Sequence, residues 1–115
     1  MIFISMSSKN IIKQILREES EIDTSILNFL RRHSTIDERD IGDDDHPIKV
    51  KSVSFNIEDE WYRITSFMSK KVMKNTLLRM LVDNRKIGEY DPSVLNTDKQ
   101  RVVKTIKFFI DSVMT

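Results

Sequence analysis

The chain has 115 residues, of which 39% are hydrophobic and 32% are charged. This composition is typical of one soluble globular domain with a modest core rather than of a disordered protein. No apolar run approaches the roughly 20 residues that a membrane-spanning helix needs. Cysteine is absent, which excludes disulfides, thiolate nucleophiles and cysteine-zinc sites and favours a reducing, intracellular compartment.

The net charge of +1 conceals an uneven distribution along the chain. Residues 1–60 carry a net charge of −5, whereas residues 61–115 carry +6. Such asymmetry favours an anionic partner for the C-terminal half. The opening "MIFIS" is too short for a signal-peptide core, and Met6 is an alternative start to Met1.

Two amphipathic helices are predicted near the N-terminus. Ser7 or Ser8 caps the first, which ends near Ser20, and Asp23 or Thr24 caps the second. The apolar side of the second helix carries Ile26, Leu27 and Leu30. The sequence predicts an acidic helical segment over residues 1–45, followed by a second unit over residues 46–115.

The segment "TIDERDIGDDDHP", residues 35–47, combines acids with one of two glycines and one of two prolines. It is predicted to be an exposed connection. Its Asp40, Asp43, Asp44, Asp45 and His46 could surround a hard cation. Because their order is not that of an EF-hand, we interpret them as a solvated acidic loop and predict no metal.

Residues 48–65, "IKVKSVSFNIEDEWYRIT", alternate apolar and polar positions. This pattern predicts short extended segments that turn at Glu58 and Asp59. A helix beginning at "IEDEWYRI" is the alternative. Trp61 and Tyr62 are interpreted as core and rim residues rather than as a base-stacking pair.

Two further helices are predicted in the C-terminal half. "SFMSKKVMKNTLLRMLVD", residues 66–83, is apolar around most of its circumference and is predicted to be central to the core. Its apolar residues are Phe67, Val72, Met73, Leu77, Leu78, Met80, Leu81 and Val82. Asn96 or Thr97 caps the last helix. The predicted fold is therefore mainly α: a small single-domain bundle of four or five helices with a short extended segment or hairpin near residues 48–65.

The last helix combines an apolar stripe with a basic beginning. The stripe consists of Val102, Val103, Ile106, Phe109, Ile110 and Val113. Four cations, Lys99, Arg101, Lys104 and Lys107, crowd the first half, where the helix macrodipole favours acids. They are either solvated surface residues or the site of a polyanion. Phe108 stands opposite the stripe among charges, which indicates a contact surface for a protein.

Catalytic patterns are missing from the sequence. Two glycines cannot form a phosphate-cradling loop, and His33 and His46 lack zinc-protease spacing. The acids before Trp61 have a structural explanation as turn residues. We therefore predict no enzyme activity, no cofactor and no small-molecule substrate.

The order of features over residues 53–114 resembles a BEN domain, a small, mainly helical DNA-binding module of chromatin, transcription and viral proteins. "VSFNIEDEWYRI" resembles the family's opening, with an acidic pair at Glu58 and Asp59 before the aromatic Trp61. "NTLLRMLVDNRKIG" resembles the central helix of the family. Its apolar positions are Leu77, Leu78, Leu81, Val82 and Ile87.

The start of the last helix also resembles the family. "LNTDKQRVVKTIKFF" is similar to the family's Leu-Asp-Pro-x-Lys pattern, with Leu95, Asn96, Thr97 and Lys99 at the matching positions. Thr97 replaces the proline, and "EYDPS" is shorter and more acidic than the family's loop before this helix. Because this loop contains no lysine, the resemblance does not imply loop contacts to DNA.

The resemblance implies that the last helix presents its N-terminal part to a groove of double-stranded DNA. Base edges would be read by Gln100, Arg101 or Lys104. The implied DNA-binding residues are Lys70, Lys71, Lys74, Arg85, Lys86, Lys99, Gln100, Arg101, Lys104 and Lys107. The resemblance implies a role in transcription, chromatin regulation or viral genome function, and a nuclear location or one at a site of viral replication.

An interaction module without DNA binding is the alternative. "VSFNIEDEWYRIT" followed by "NTLLRML" loosely resembles the tetramerisation type of BTB/POZ domain, although Glu58 and Asp59 replace its paired glycines. A small helical partner-binding protein, of viral or other origin, would use Phe108. Both forms of this alternative predict a homodimer or another protein partner.

Overall fold

The computed structural model of the protein describes residues 21–115. The described residues form four helices and a three-stranded antiparallel sheet with strand order β1-β2-β3. In chain order the elements are α1 (Thr24–His33), β1 (Ser34–Asp40), β2 (Lys49–Ile57), β3 (Glu60–Thr65), α2 (Lys70–Asp83), α3 (Val94–Thr97) and α4 (Lys99–Met114). The predicted first helix, near residues 7–20, and the opening "MIFIS" lie outside the described residues.

The prediction of a mainly α bundle is wrong, because the described chain has an α+β fold with 46% helix and 23% strand. Much of the difference comes from β1, which occupies part of the segment predicted as a connection. β1 pairs with β2 from Ser34 opposite Phe55 to Asp40 opposite Lys49. All β1 residues after the first are exposed, so backbone pairing at a charged sheet edge forms this strand without an apolar pattern. The predicted boundary at residue 45 falls between these two paired strands.

The predicted extended segments and their turn are confirmed, and they form a hairpin. β2 and β3 pair in a register that ends with Ile57 opposite Glu60. Between them Glu58 and Asp59 have φ angles of 50° and 69°, which are typical of a two-residue type I′ turn. The alternative helix at this position is therefore wrong.

The core lies between one face of the sheet and helices α1, α2 and α4. The ring centroids of Phe55 on β2 and Phe109 on α4 are 6.0 Å apart. Phe29 on α1 meets Tyr90 of the α2–α3 loop edge to face at 5.1 Å. The Tyr90 hydroxyl donates a hydrogen bond to the Leu81 carbonyl, and burial raises the pKa of Tyr90 to about 12.

The predicted helix over residues 66–83 is confirmed for α2, but its apolar surface is only partly buried. Met73, Leu77, Met80 and Leu81 belong to the core. Phe67 precedes the helix and is 66% exposed, and Val72 and Val82 are also exposed. Because α2 packs on one side against α4 and β3, the residues on its other side remain in solvent.

The predicted apolar stripe of α4 is confirmed, although its cap is different. Val102, Ile106, Phe109 and Ile110 are buried, and Val103 and Val113 are half-buried. Asp98 is the N-cap, and its carboxylate accepts a hydrogen bond from the Arg101 N–H at 3.2 Å. Asn96 and Thr97, the predicted caps, lie in the short helix α3. Among residues 21–115, no helix has the length and apolar character needed to cross a membrane.

Candidate functional site

The ten predicted DNA-binding residues fall into three groups. Lys99, Gln100, Arg101 and Lys104 form the helix-start group on the first turns of α4. Lys70, Lys71, Lys74 and Lys107 line one depression, which we call the lysine groove. Arg85 and Lys86 follow the end of α2. Since a helix rises about 1.5 Å per residue, the length of α2 separates this last pair from the lysine groove.

Carboxylates accompany the helix-start group. The Lys104 ammonium lies 2.6 Å from the Glu21 carboxylate, and Asp98 caps the helix. Glu21, Asp98, Gln100, Arg101 and Lys104 together line a cavity of about 280 Å³. The cations at the start of α4 are therefore partly balanced within the chain, because Asp98 supplies the negative charge that the macrodipole favours.

The lysine groove brings four lysines together with a single acid. It has a volume of about 460 Å³ and lies between the first turns of α2 and the second half of α4. Its one acidic lining residue is Asp111, whose carboxylate lies 3.1 Å from the Lys70 ammonium. Within residues 21–115, Lys71, Lys74 and Lys107 form no salt bridge.

The backbone of α2 adds to the positive potential of the groove. Ser69 caps the helix by accepting a hydrogen bond from the Val72 N–H at 3.2 Å, and the first turn contains no acid. The positive end of the macrodipole therefore lies beside Lys70 and Lys71. Lys70, Lys71 and Lys74 lie in the first turns of α2. The charges of these side chains and the positive end of the helix dipole therefore lie side by side.

The exposed face of α4 connects the two larger groups. Lys104 and Lys107 are three residues apart and therefore neighbours on one helix face. Together with Gln100, they extend the lysine groove toward the helix-start group. We use the name basic stripe for Gln100, Lys104 and the four lysines of the groove.

Phe108 borders the basic stripe. Its side chain is 42% exposed, as expected from the helix periodicity. A shallow depression of about 320 Å³ beside it is lined by Glu21, Ile22, Lys104, Lys107, Phe108 and Asp111. The ring offers an apolar contact within a charged surface.

Sequence reasoning missed the acids that pair with the cations. Asp98 was detectable, since aspartate is a preferred N-cap and directly precedes Lys99. The pairs Lys104–Glu21 and Lys70–Asp111 join residues far apart in sequence. No local pattern indicates them, because they depend on how α4 packs against α2 and the chain before α1.

The two aromatic residues of the hairpin lie on opposite faces of the sheet. Trp61, predicted to be a core or rim residue, is 67% exposed and pairs with Asn56 across the strands. Tyr62 is half-buried and its hydroxyl lies 2.6 Å from Glu60 Oε2 and 2.9 Å from Asp83 Oδ2. Burial and these hydrogen bonds raise the pKa of Tyr62.

The acidic connection shows a local turn rather than a ligand cage. The His46 backbone N–H donates to Asp43 Oδ1 at 2.7 Å. The part of the chain covered by the structure contains no cluster of three or more His, Cys, Asp or Glu residues arranged to hold a metal ion.

Comparisons with known proteins found no relative of this chain. It matches no protein-family model, and neither a curated protein nor a solved structure is significantly similar to it.

Proposed function

We propose that this protein binds double-stranded DNA, with the basic stripe on the phosphate backbone. The observation that carries the proposal is the convergence of Lys71, Lys74 and Lys107, which have no salt-bridge partner within residues 21–115, on one groove. A phosphate backbone supplies regularly spaced anions to such lysines, and the release of counterions drives the association. The resemblance of residues 53–114 to a BEN domain independently favours DNA as the polyanion.

The proposed division of work follows the chemistry of the side chains. Lysines contact phosphates as point charges and position the protein without reading sequence. Gln100 and Arg101, on the first turn of α4, have the side chains suited to adenine and guanine edges. We propose that they enter a groove while the lysine groove holds the flanking backbone. Arg85 and Lys86 would contribute only if the DNA extends beyond the end of α2.

The test is fluorescence anisotropy with a labelled random duplex between about 50 and 300 mM salt. The groove variant carries Lys71→Glu, Lys74→Glu and Lys107→Glu. We expect it to bind at least tenfold more weakly at the lowest salt. We also expect the slope of log affinity against log salt to become shallower by about 0.9 for each phosphate that the variant no longer neutralises.

A matched control carries three charge reversals away from the stripe: Arg31→Glu, Arg63→Glu and Arg79→Glu. It changes the net charge by the same amount as the groove variant does. If only the groove variant loses DNA affinity, the loss is caused by the position of the reversed charges and not by the net charge of the protein. Equal affinities of the groove variant and the wild type would contradict the proposal. Circular dichroism of both variants checks that they fold.

Protein binding through Phe108 is the second candidate function, favoured by the exposure of this ring beside the basic stripe. Phe108→Ala would then reduce capture of a protein partner while leaving the DNA affinity and its salt slope unchanged. If Phe108→Ala weakens DNA binding as strongly as the groove variant does, the ring belongs to the DNA-binding surface instead.

A further inference from the structure

The connection between β1 and β2 is an acidic projection from the sheet. We define the acidic arm as residues 37–48, "DERDIGDDDHPI", all of which are exposed. β1 packs mainly against β2, and backbone bonds hold the arm together. The Ile41 N–H donates to the Ile48 carbonyl at 2.9 Å, and the His46 N–H donates to the Asp43 carbonyl at 3.2 Å.

The charges at the end of the arm are largely unpaired. Asp37 and Glu38, near its base, pair with Arg39 and Lys51. Beyond them, Asp40, Asp43, Asp44 and Asp45 form no ion pair with a lysine or arginine inside the described range. The ring of His46 lies 3.5 Å from the Asp43 carboxylate. Four aspartates thus stand in solvent without a salt bridge to a lysine or arginine of residues 21–115.

The acidic arm and the lysine groove carry opposite charges. The arm presents four aspartates, and the groove presents four lysines against the single acid Asp111. Exposed apolar side chains accompany the charges, since Ile41 is 58% and Ile48 45% exposed. Complementary charges of this kind give association its orientation and rate, and the isoleucines add apolar area that association can bury.

The arm does not occupy the groove of its own chain. Every residue of the arm is exposed, and no arm residue lines the groove. The base of the arm nevertheless lies near the groove, at the C-terminal end of α4. Lys51 lies 3.3 Å from the Thr115 carbonyl at the end of α4, and Lys70 contacts Asp111 on the last turn of the same helix.

This placement suits a reciprocal exchange between two copies. Glu38 and Lys51 face each other at the base of the arm, and Asp43 and Asp45 lie five and six positions from them. The chain therefore carries these aspartates at most about 17–20 Å from the base. A two-fold axis beside the bases would let each arm reach the other copy's groove, with the same contact made twice.

We propose that the acidic arm of one copy binds in the lysine groove of a second copy and forms a two-fold symmetric, salt-sensitive dimer. The dimer does not require the protein to bind DNA. Because the partner's arm and the phosphate backbone use the same lysines, dimerisation and DNA binding compete.

The test is sedimentation equilibrium of the full chain at low and high salt, with variants that reverse each half of the contact. The arm variant carries Asp43→Lys, Asp44→Lys and Asp45→Lys, and its counterpart is the groove variant defined above. We expect the wild type to dimerise at low salt and to dissociate as salt rises. Each variant alone places like charges in the contact and is expected to be monomeric.

An equimolar mixture of the two variants provides the decisive measurement. The basic arm then meets the acidic groove, and the acidic arm meets the basic groove, so both contacts return in a heterodimer. A control replaces the arm variant by one that carries Glu58→Lys, Asp59→Lys and Asp91→Lys. This control has the same net charge but an unchanged arm, and its mixture with the groove variant is expected to form less heterodimer.

A wild type that stays monomeric at the lowest salt, or a dimer that persists in both single variants, would overturn the proposal. Equal association in the control mixture would assign the effect to net charge and would also overturn it. Anisotropy with duplex DNA separates this proposal from the proposed function. An arm variant that is monomeric but keeps or gains DNA affinity supports both the dimer and the DNA-binding function. A wild type that dimerises but does not bind DNA supports the dimer and rejects the DNA-binding function.

Discussion

The Nε2 atom of His33 lies 2.6 Å from Oε2 of Glu89, and this contact ties the end of α1 to the loop between α2 and α3. Arg32 holds the other carboxylate oxygen of Glu89 at 2.8 Å. The hydrogen bond with His33 is the main cause that lowers the pKa of the Glu89 carboxyl, and the nearby charges of His33 and Arg32 lower it further. The loop carrying Tyr90 is therefore fixed next to Phe29 by a charge contact as well as by aromatic packing.

This contact predicts a dependence of stability on acid pH. A carboxyl group with a lowered pKa in the folded state stabilises the fold fully above its ordinary pKa of about 4.3. That stabilisation is lost as the pH falls through the lowered value. We expect Glu89→Gln to reduce the free energy of unfolding by about 1 kcal/mol at neutral pH. Its deficit relative to the wild type should shrink at acid pH.

Urea unfolding at a series of pH values checks this prediction. Glu58→Gln is the control, since Glu58 is exposed at the hairpin turn. A deficit of Glu89→Gln that stays constant from neutral to strongly acid pH would be inconsistent with the proposed linkage.

Adjacent phenylalanines on α4 should respond very differently to truncation. Phe109 is 1% exposed and packs near Phe55, whereas Phe108 is 42% exposed. Phe109→Ala is expected to cost about 3–5 kcal/mol of unfolding free energy, because it removes core packing and leaves a cavity. Phe108→Ala should cost less than about 1 kcal/mol. Chemical denaturation measures both, and similar losses would show that the face of α4 is assigned incorrectly.

The hairpin turn offers a stability gain. Asp59 has a φ angle of 69°, in the left-handed region where glycine fits without a steric cost. We expect Asp59→Gly to raise the free energy of unfolding by about 0.5–1 kcal/mol, and Asp59→Val to lower it by about 1–2 kcal/mol. Thermal unfolding of the pair checks the order. A valine variant as stable as the glycine variant would rule out this turn conformation.

The cap of α4 links stability to the proposed function. Asp98→Ala removes the acceptor for the Arg101 N–H and should cost about 1 kcal/mol. Asp98→Asn keeps an acceptor but removes a negative charge beside the helix-start group, so its stability should stay within about 0.5 kcal/mol. If DNA approaches this end of α4, Asp98→Asn should bind a duplex about two- to fivefold more tightly at low salt. Anisotropy of both variants distinguishes the effect of the lost charge on DNA affinity from the effect of the lost cap, because Asp98→Asn removes only the charge.

Local patterns in the sequence were enough to predict several of the elements. The alternation of "KVKSVSFNI" with the turn at Glu58 and Asp59 predicted β2 and β3, because one face of each strand is buried. The spacing of Val102, Ile106, Phe109 and Ile110 predicted the buried face of α4 and left Phe108 outside. Both predictions rest on periodicities imposed by the backbone, 2.0 residues in a strand and 3.6 in a helix.

Other features depend on how the elements pack. These are the α+β character of the fold and the set of lysines that can bind an anionic partner. β1 has no buried face to produce a pattern; its backbone partner is a strand that follows a connecting loop. Lys71, Lys74 and Lys107 lie on two helices and meet in one groove only because α2 packs against α4. The same packing gives Lys70 its acidic partner, and Glu21 reaches Lys104 from the chain before α1. No sequence pattern could predict these pairs, since a salt bridge depends on distance in space rather than on separation along the chain.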